Sequence, residues 1–285
     1  MPTLRSLGLA VMGTLLAAGA AYAQEAGYGA DPVTADAAAP QTPGAVGDQQ
    51  RHYYFEEAGV EMPYRLYVPT DYDPEVPTPM VVALHGYTGT QNYFFQLSDD
   101  LPRQLEGHGF IFVAPMGFNR GSWYGGGGPA TRGAGSENTA EIIVRNGLSV
   151  TELGELDVMS VVEIVQREYN VDPNRTYLMG HSMGGAGTWH LGQKYAEMWA
   201  AIAPMSGTGL FSTVDAGTMV NLPVLVSVGG EETGQLEPSR TTVAEISAAG
   251  GTAEYLELGG EGHVPMIRPA VPQILAFFTQ HTKDR

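Results

Sequence analysis

Residues 180–184 read GHSMG and place a serine between two glycines, which is the spacing of a nucleophile elbow. The preceding residues 177–179 are apolar or aromatic and predict the end of a buried strand, whereas residues 185–195 can continue as a helix. A serine at such a strand-to-helix turn takes up strained backbone angles, and a side chain at either glycine would clash there. The following helix points its positive end at the same place. The pattern predicts that Ser182 is a nucleophile; the alternative is a glycine-rich turn that packs a helix closely on a sheet.

A serine hydroxyl is a poor nucleophile until a base takes its proton, and a third group must orient that base. Among seven histidines, His263 follows the last predicted strand in a glycine-rich loop, where the base is expected in the chain order serine, acid, histidine. The acid should follow the strand predicted at residues 223–228. Glu232 occupies that position and Glu231 is the second candidate; the alternative for both is a pair of surface carboxylates in an acidic protein.

Two backbone N–H groups are needed to bind the oxyanion of a tetrahedral intermediate. Met183 follows the nucleophile and is expected to supply the first. The second is expected from Tyr87 in the sequence HGYTG at residues 85–89, which directly follows an apolar run at residues 80–84. The Tyr87 ring could also lie against a substrate acyl group, and His85 is expected to be a neutral structural residue bonded to the loop backbone.

Short apolar runs alternate with amphipathic stretches along most of the chain. Strands are predicted at residues 52–58, 61–68, 80–84, 110–114, 177–179, 199–203, 224–228 and 253–258, and helices at residues 94–106, 152–169, 185–195, 239–249 and after residue 269. Strands that alternate with helices across one domain indicate an α/β fold with a mostly parallel central sheet, flanked by helices on both faces.

The segment 117–148 breaks this alternation with a run of four glycines and few apolar residues. It is long for a connection, so it is functional or mobile, and it follows a strand end, where open α/β sheets bind ligands. We therefore expect a lid or a substrate wall, against the alternative of an insertion without a role. Trp123, Tyr124 and, in the elbow helix, Trp189 are the candidate substrate contacts.

The first residues of the chain carry a targeting signal. Residues 1–23 combine a short start containing Arg5, an apolar run and the sequence AYA, which predicts a secretory signal peptide cut before Gln24. The apolar run is shorter than the roughly 20 residues of a membrane span, so no stable membrane insertion is expected after cleavage. Residues 24–50 are rich in Ala, Pro, Gly, Asp and Gln and predict a disordered tether, which leaves residues 51–285 as the catalytic domain. We expect a secreted protein, periplasmic or extracellular.

The composition of the chain excludes several partners and chemistries. A formal net charge of −17 disfavours nucleic acid and anionic membrane surfaces as partners. The absence of cysteine excludes disulfides, a thiol nucleophile and cysteine-type metal sites. The chemistry predicted for Ser182 needs no metal and no cofactor. Nothing in the composition fixes the oligomeric state.

The chain from about residue 53 to residue 278 resembles the α/β-hydrolase superfamily. Its residues 180–189, GHSMGGAGTW, resemble the elbow and helix of a narrower group. That group joins secreted carboxylesterases similar to feruloyl esterases and polyhydroxyalkanoate depolymerases with predicted peptidases of the prolyl-oligopeptidase type. The sequences DPNR at residues 172–175 and APMSG at residues 203–207 match it too. The main departure is the acid, because the group normally has aspartate where this chain offers glutamate.

The resemblance implies hydrolysis through a serine acyl-enzyme, so we expect an exported serine carboxylesterase. Export and a tether suit an extracellular substrate such as feruloylated polysaccharide or an aliphatic polyester, although fold and triad do not fix the substrate. A peptidase shares every catalytic residue, but such enzymes commonly carry a propeller or gating domain, for which this chain has no room. A non-catalytic binding protein on the same fold predicts a lost nucleophile, base or oxyanion loop, and all three are present.

Overall fold

A computed structural model describes residues 42–127, 147–209 and 212–283 of the chain. The predicted signal peptide and most of the predicted tether lie outside the described residues, and so does most of the segment 117–148. Within the described ranges, no helix is both long and apolar enough to cross a lipid bilayer.

One sheet of eight strands forms the centre of the described structure. The strands are β1 (Gly47–Phe55), β2 (Val60–Val68), β3 (Thr78–Leu84), β4 (Ile111–Pro115), β5 (Val171–His181), β6 (Ala201–Met205), β7 (Val224–Gly229) and β8 (Ala253–Leu258). They lie in the order β1-β2-β4-β3-β5-β6-β7-β8. β2 runs antiparallel to both of its neighbours, and all other neighbouring pairs are parallel. The mostly parallel sheet that the sequence predicts is therefore confirmed.

Helices cover both faces of this sheet. They are α1 (Tyr93–Leu97), α2 (Leu101–His108), α3 (Val150–Glu168), α4 (Met183–Lys194), α5 (Thr233–Ala248) and α6 (Ile267–Phe278), with short 3₁₀ turns at Trp123–Gly125, Ala196–Met198 and Ala216–Met219. α3, α4 and α5 share one apolar cluster with the sheet, whereas α1, α2 and α6 share a second cluster on the opposite face.

β3 shows why a central strand of this sheet is apolar throughout. Met80, Val82 and Leu84 belong to the first cluster, and Val81 and Ala83 belong to the second. Successive side chains of a strand point to opposite faces, so a strand with helices on both faces must be apolar at every position. The continuous apolar run in the sequence is the direct result.

Several element boundaries differ from the sequence prediction. β1 begins at Gly47, so residues 47–50 of the predicted tether belong to the sheet, because antiparallel pairing with β2 needs backbone groups and no large apolar side chains. The helix predicted at residues 94–106 is two helices, α1 and α2, and Pro102 lies in the first turn of α2. α5 begins at Thr233, before the predicted residue 239, and contains Pro238.

Candidate active site

The elbow turn lies between β5 and α4, at the carboxyl end of a central strand. β5 ends at His181 and α4 begins at Met183, so Ser182 alone connects them. Its φ of 57° and ψ of −112° lie in a region that residues with side chains avoid. The Ser182 N–H donates to the carbonyl oxygen of Met205 on β6 at 2.8 Å, which holds the strained turn in place.

The two glycines that flank Ser182 are required by close backbone packing. A Cβ atom on Gly180 would collide with the carbonyl oxygen of Gly184, and one on Gly184 would collide with that of Leu84 at the end of β3. α4 therefore packs directly on the ends of β3 and β5. Because Ser182 immediately precedes α4, its hydroxyl lies at the positive end of the helix dipole.

Three side chains that are distant in sequence meet beside this turn. Nε2 of His263 lies 2.8 Å from Oγ of Ser182, and Nδ1 of the same ring forms a short hydrogen bond with Oε2 of Glu232. The three residues follow β5, β7 and β8, and parallel strands bring their carboxyl ends to one edge of the sheet. A carboxylate that accepts the hydrogen of Nδ1 leaves the lone pair of Nε2 to take a proton from the serine.

The carboxylate of Glu232 is held on both oxygens. Oε1 accepts a hydrogen bond from the hydroxyl of Ser206 at 2.6 Å and another from the N–H of Gly229 at 3.0 Å. Burial opposes ionisation of Glu232, but hydrogen bonds from His263 and Ser206 outweigh it and keep its pKa below the usual value. At neutral pH the group is therefore an anion that can orient an imidazole.

Glu231, the second candidate for the acid, is placed differently. Its side chain is exposed, and its backbone N–H donates to the carbonyl oxygen of Glu261 at 3.0 Å. That bond joins the loop after β7 to the loop after β8. The structure thus brings Glu232, and not Glu231, to the ring of His263.

Sequence reasoning missed three residues that surround this group. Ser206 contacts Glu232, while His181 and Tyr93 form a hydrogen-bonded pair beside His263. The position of Ser206, directly after the strand between β5 and β7, is a signal that could reveal it. His181 and Tyr93 give no such signal, because 88 residues separate them.

His85 fixes the segment 85–89 to the sheet. Its Nδ1 lies 2.8 Å from the carbonyl oxygen of Gly86, and its Nε2 lies 2.7 Å from that of Met116, which follows β4. The ring is buried between two loop carbonyl oxygens, and because a carbonyl oxygen only accepts, a neutral ring donates to one of them at a time. This contact with loop backbone is a structural role. A Cβ atom on Gly184 would lie 2.8 Å from the carbonyl oxygen of His85, so this segment runs directly beside the elbow.

Tyr87 lies at the tip of that segment. The next residue, Thr88, has a φ of 66° and donates its N–H to the carbonyl oxygen of Arg120 at 2.9 Å. The ring of Tyr87 is 44% exposed and lies beside Gly121. The use of the Tyr87 and Met183 N–H groups as oxyanion donors stays a prediction.

Asp157 of α3 holds the backbone that follows β4. Its carboxylate accepts hydrogen bonds from the N–H groups of Gly117 at 2.6 Å and Phe118 at 3.1 Å, and from the hydroxyl of Tyr53 at 2.6 Å. Burial raises the pKa of Asp157 to about 6, although these hydrogen bonds act in the opposite direction. The loop that contacts Thr88 and Tyr87 is therefore anchored on a buried carboxylate.

The structure corrects two of the three predicted substrate contacts. Tyr124 and Trp189 are fully buried, and both belong to the apolar cluster beneath the elbow. The Tyr124 hydroxyl donates to the carbonyl oxygen of His85 at 3.2 Å, and the Trp189 ring N–H donates to the Thr208 hydroxyl at 3.2 Å. Packing of α4 on the sheet turns Trp189 inward, and a φ of 50° turns Tyr124 inward. Trp123, which is partly exposed, remains a candidate.

Most of the predicted lid or substrate wall, residues 128–146 of the segment 117–148, lies outside the described residues. Its expected role stays a prediction. Among the residues that the structure does describe, no group of three or more histidine, aspartate or glutamate side chains could hold a metal ion.

Comparison with known proteins gives matches over most of the described chain. The sequence model of the Esterase family matches residues 56–213. A bifunctional acetylxylan esterase/xylanase from Neocallimastix patriciarum is 29% identical over 163 residues, which are 57% of this chain and 20% of that protein. Feruloyl esterase B from Neurospora crassa is 31% identical over 130 residues, which are 45% of this chain and 38% of that protein.

The match thus spans well under half the length of either curated relative. Among solved structures, that of a thermostable esterase superposes with a TM-score of 0.61 and 25% sequence identity. The superposition covers 83% of this chain and 63% of that chain. At this TM-score the two chains share one fold.

Proposed function

This chain belongs to the Esterase family, and on that premise we propose that it is a feruloyl-esterase-like α/β-hydrolase that hydrolyses carboxylic esters through a serine acyl-enzyme. The proposal gives the roles of nucleophile, base and orienting acid to Ser182, His263 and Glu232. It places the oxyanion against the N–H groups of Met183 and Tyr87. The reaction needs no metal and no cofactor.

The observation that supports the proposal most strongly is the continuous set of contacts from Ser182 through His263 to Glu232. Nε2 of His263, 2.8 Å from the serine hydroxyl, takes its proton while Oγ forms a bond to the ester carbonyl carbon. Glu232 keeps the imidazole in the reactive tautomer and stabilises the imidazolium that forms.

The remaining steps return every group to its starting state. The tetrahedral intermediate collapses, the bond to the alkoxy group breaks, and Nε2 of His263 gives its proton to the leaving alcohol. A water molecule then loses a proton to the same nitrogen and attacks the acyl carbon. The bond to Oγ of Ser182 breaks, the proton returns to the serine, and a carboxylic acid is released.

We place the substrate among acyl esters of extracellular polymers. The names of the two curated relatives give acetylated xylan and feruloyl esters as what those proteins act on. The exposed ring of Tyr87, in the segment 85–89, offers an apolar surface to an acyl group. The signal peptide predicted at residues 1–23 supports export to the place where such polymers occur. An aliphatic polyester has the same bond and is the second substrate to test.

The test compares the purified protein with Ser182→Ala and with Ser247→Ala, a control at an exposed serine of α5. Substrates are short p-nitrophenyl esters, methyl ferulate, acetylated xylan and a polyester film, with matched short peptide amides. We expect ester hydrolysis that Ser182→Ala reduces by at least about 10³-fold in kcat and that Ser247→Ala leaves unchanged.

Three results would overturn the proposal. Undiminished ester turnover in Ser182→Ala would exclude this serine as the nucleophile. Serine-dependent cleavage of the amides with no ester turnover would establish a peptidase of the prolyl-oligopeptidase type, and a folded protein inactive on every substrate would favour a non-catalytic binding protein.

A further inference from the structure

We infer that His181 is a positioning residue that fixes the backbone of His263, and that the hydroxyl of Tyr93 selects the tautomer in which His181 does so. This inference rests on the proposed function, because it concerns the base of the proposed triad. It gives a role to the first variable position of the G-x-S-x-G elbow motif, which His181 occupies. That position directly precedes the nucleophile.

The hydrogen-bond partners determine which nitrogen of His181 carries the hydrogen. Nε2 lies 2.6 Å from the carbonyl oxygen of His263, and a carbonyl oxygen can only accept a hydrogen bond. Nε2 must therefore be the donor. Nδ1 lies 2.8 Å from the hydroxyl of Tyr93, and in a neutral ring protonated at Nε2 this nitrogen accepts. Tyr93 therefore donates to Nδ1, and the direction of both bonds is fixed.

Burial keeps both members of the pair in these protonation states. Burial, together with the nearby His263, lowers the pKa of His181 to about 3, so the ring is neutral at any pH at which an esterase would be assayed. Burial also raises the pKa of Tyr93 to about 12, so its hydroxyl keeps the proton that it donates. The other titratable group that acts on His181 is Glu232, beyond His263.

The pair of His181 and Tyr93 is packed between the loop that holds His263 and the segment 85–89. The ring of His181 stacks on that of Tyr93 at an interplanar angle of 23°, and its centroid lies 4.6 Å from that of His263. On the other side, a Cβ atom on Gly86 would lie 2.9 Å from the Tyr93 hydroxyl and 3.2 Å from Nδ1 of His181. There is no room for His181 to move without displacing one of these loops.

The hydrogen bond from His181 to the backbone of His263 matters because His263 lies in a glycine-rich loop and its side chain is 43% exposed. A loop of this composition loses much conformational entropy when it is held in one conformation. Ser182 contacts the side chain of His263, and the preceding residue, His181, contacts its backbone carbonyl. Adjacent residues of one rigid turn therefore hold both the backbone and the ring of the base.

The test uses His181→Leu, which removes the donor, His181→Gln, which can return an N–H group near the position of Nε2, and Tyr93→Phe. Tyr177→Phe is the matched control, because the Tyr177 hydroxyl also donates to a backbone carbonyl oxygen (His281, 2.7 Å) and its ring packs in the same apolar cluster as Tyr93. For each variant, kcat and KM are measured separately on the best ester, and thermal unfolding reports the loss of stability.

We expect His181→Leu to lower kcat about 10- to 100-fold, because a small displacement of the base is enough to lose that much, with KM changed less than about twofold. His181→Gln should recover most of the lost kcat. The kcat of Tyr93→Phe should lie between the values of the two His181 variants. Tyr177→Phe should lose stability without losing kcat. A His181→Leu variant with wild-type kcat would overturn the inference, and so would an equal loss of kcat in Tyr177→Phe.

A second readout separates this inference from the proposed function. A fluorophosphonate phosphonylates an activated serine: Oγ forms the bond to phosphorus, fluoride leaves, and His263 takes the serine proton. A wild-type protein that is inactive on all esters would refute the proposed function but would leave the positioning role of His181 standing. Labelling of Ser182 that slows in His181→Leu and recovers in His181→Gln would still support the positioning role, whereas equal labelling of all three proteins would overturn it.

Discussion

The hydroxyl of Ser206 lies 2.6 Å from Oε1 of Glu232, the carboxylate oxygen that does not face His263. Ser206 directly follows β6 and has a φ of 46°, a conformation that a residue with a side chain adopts only when its surroundings hold it. Its N–H donates to the carbonyl oxygen of Ser227 on β7 at 2.9 Å. The end of β6 therefore supports the acid that follows β7.

Replacement of Ser206 by alanine should lower kcat/KM about tenfold, because Oε1 keeps the Gly229 N–H but loses a hydrogen bond to a charged group, worth roughly 1.4 kcal/mol. Steady-state kinetics on one ester will measure the change. Ser212→Ala is the control, since that hydroxyl donates to the carbonyl oxygen of Gly207 and does not contact the acid. Equal activity of the two variants would remove Ser206 from the site.

Glu232→Gln should lower kcat about 10³- to 10⁴-fold, because an uncharged amide neither stabilises the imidazolium nor fixes the reactive tautomer of His263. Glu231→Gln should stay within about twofold of the wild type, since its carboxylate is exposed and an exposed charge contributes little. The two variants lose the same charge, so a comparison of their kcat values is matched. A larger loss in Glu231→Gln would show that the wrong carboxylate has been assigned.

Asp157→Asn should change how stability depends on pH. Burial gives the folded protein a pKa of about 6 for this carboxyl, above the ordinary 3.8, so the folded state binds the proton more tightly than the unfolded state. Its contribution to the free energy of unfolding is then full below pH about 4 and is lost as the pH rises through about 6, by at most about 3 kcal/mol.

Urea unfolding of wild type and Asp157→Asn at pH 4.5 and at pH 7.5 measures that contribution. The wild type should lose more stability than Asp157→Asn between these two pH values. Asp71→Asn, at an exposed position, removes the same charge and should follow the wild type. An Asp157→Asn curve parallel to that of the wild type would contradict the prediction.

The fold and the assignment of the candidate triad follow from the sequence because their signals are local. β3 contains a continuous apolar run at residues 80–84, and β7 is apolar except for Ser227 and its final glycine. Gly180 and Gly184 stand at the two positions where the elbow leaves no space for a side chain. Once the strands are placed, the order of the chain brings the loops that hold Glu232 and His263 to one edge of the sheet.

The surroundings of the site do not follow from the sequence, because they depend on packing between distant elements. Tyr93 and His181 meet across 88 residues, and neither has a neighbour pattern that marks the contact. Tyr124 and Trp189 have side chains typical of a substrate wall, but the direction of a side chain is decided by how α4 and the turn at Trp123–Gly125 pack on the sheet.

β8 leads into the loop of His263, and among the described residues it is the last strand of the sheet and pairs with β7 alone. An edge strand opens at a lower free energy than the strands that are paired on both sides, as local fraying does elsewhere in proteins. His263, the base of the proposed triad, thus follows an edge strand, whereas Ser182, the proposed nucleophile, follows the central strand β5. Mild heating should therefore abolish ester hydrolysis while most of the sheet stays paired, and cooling should restore the activity.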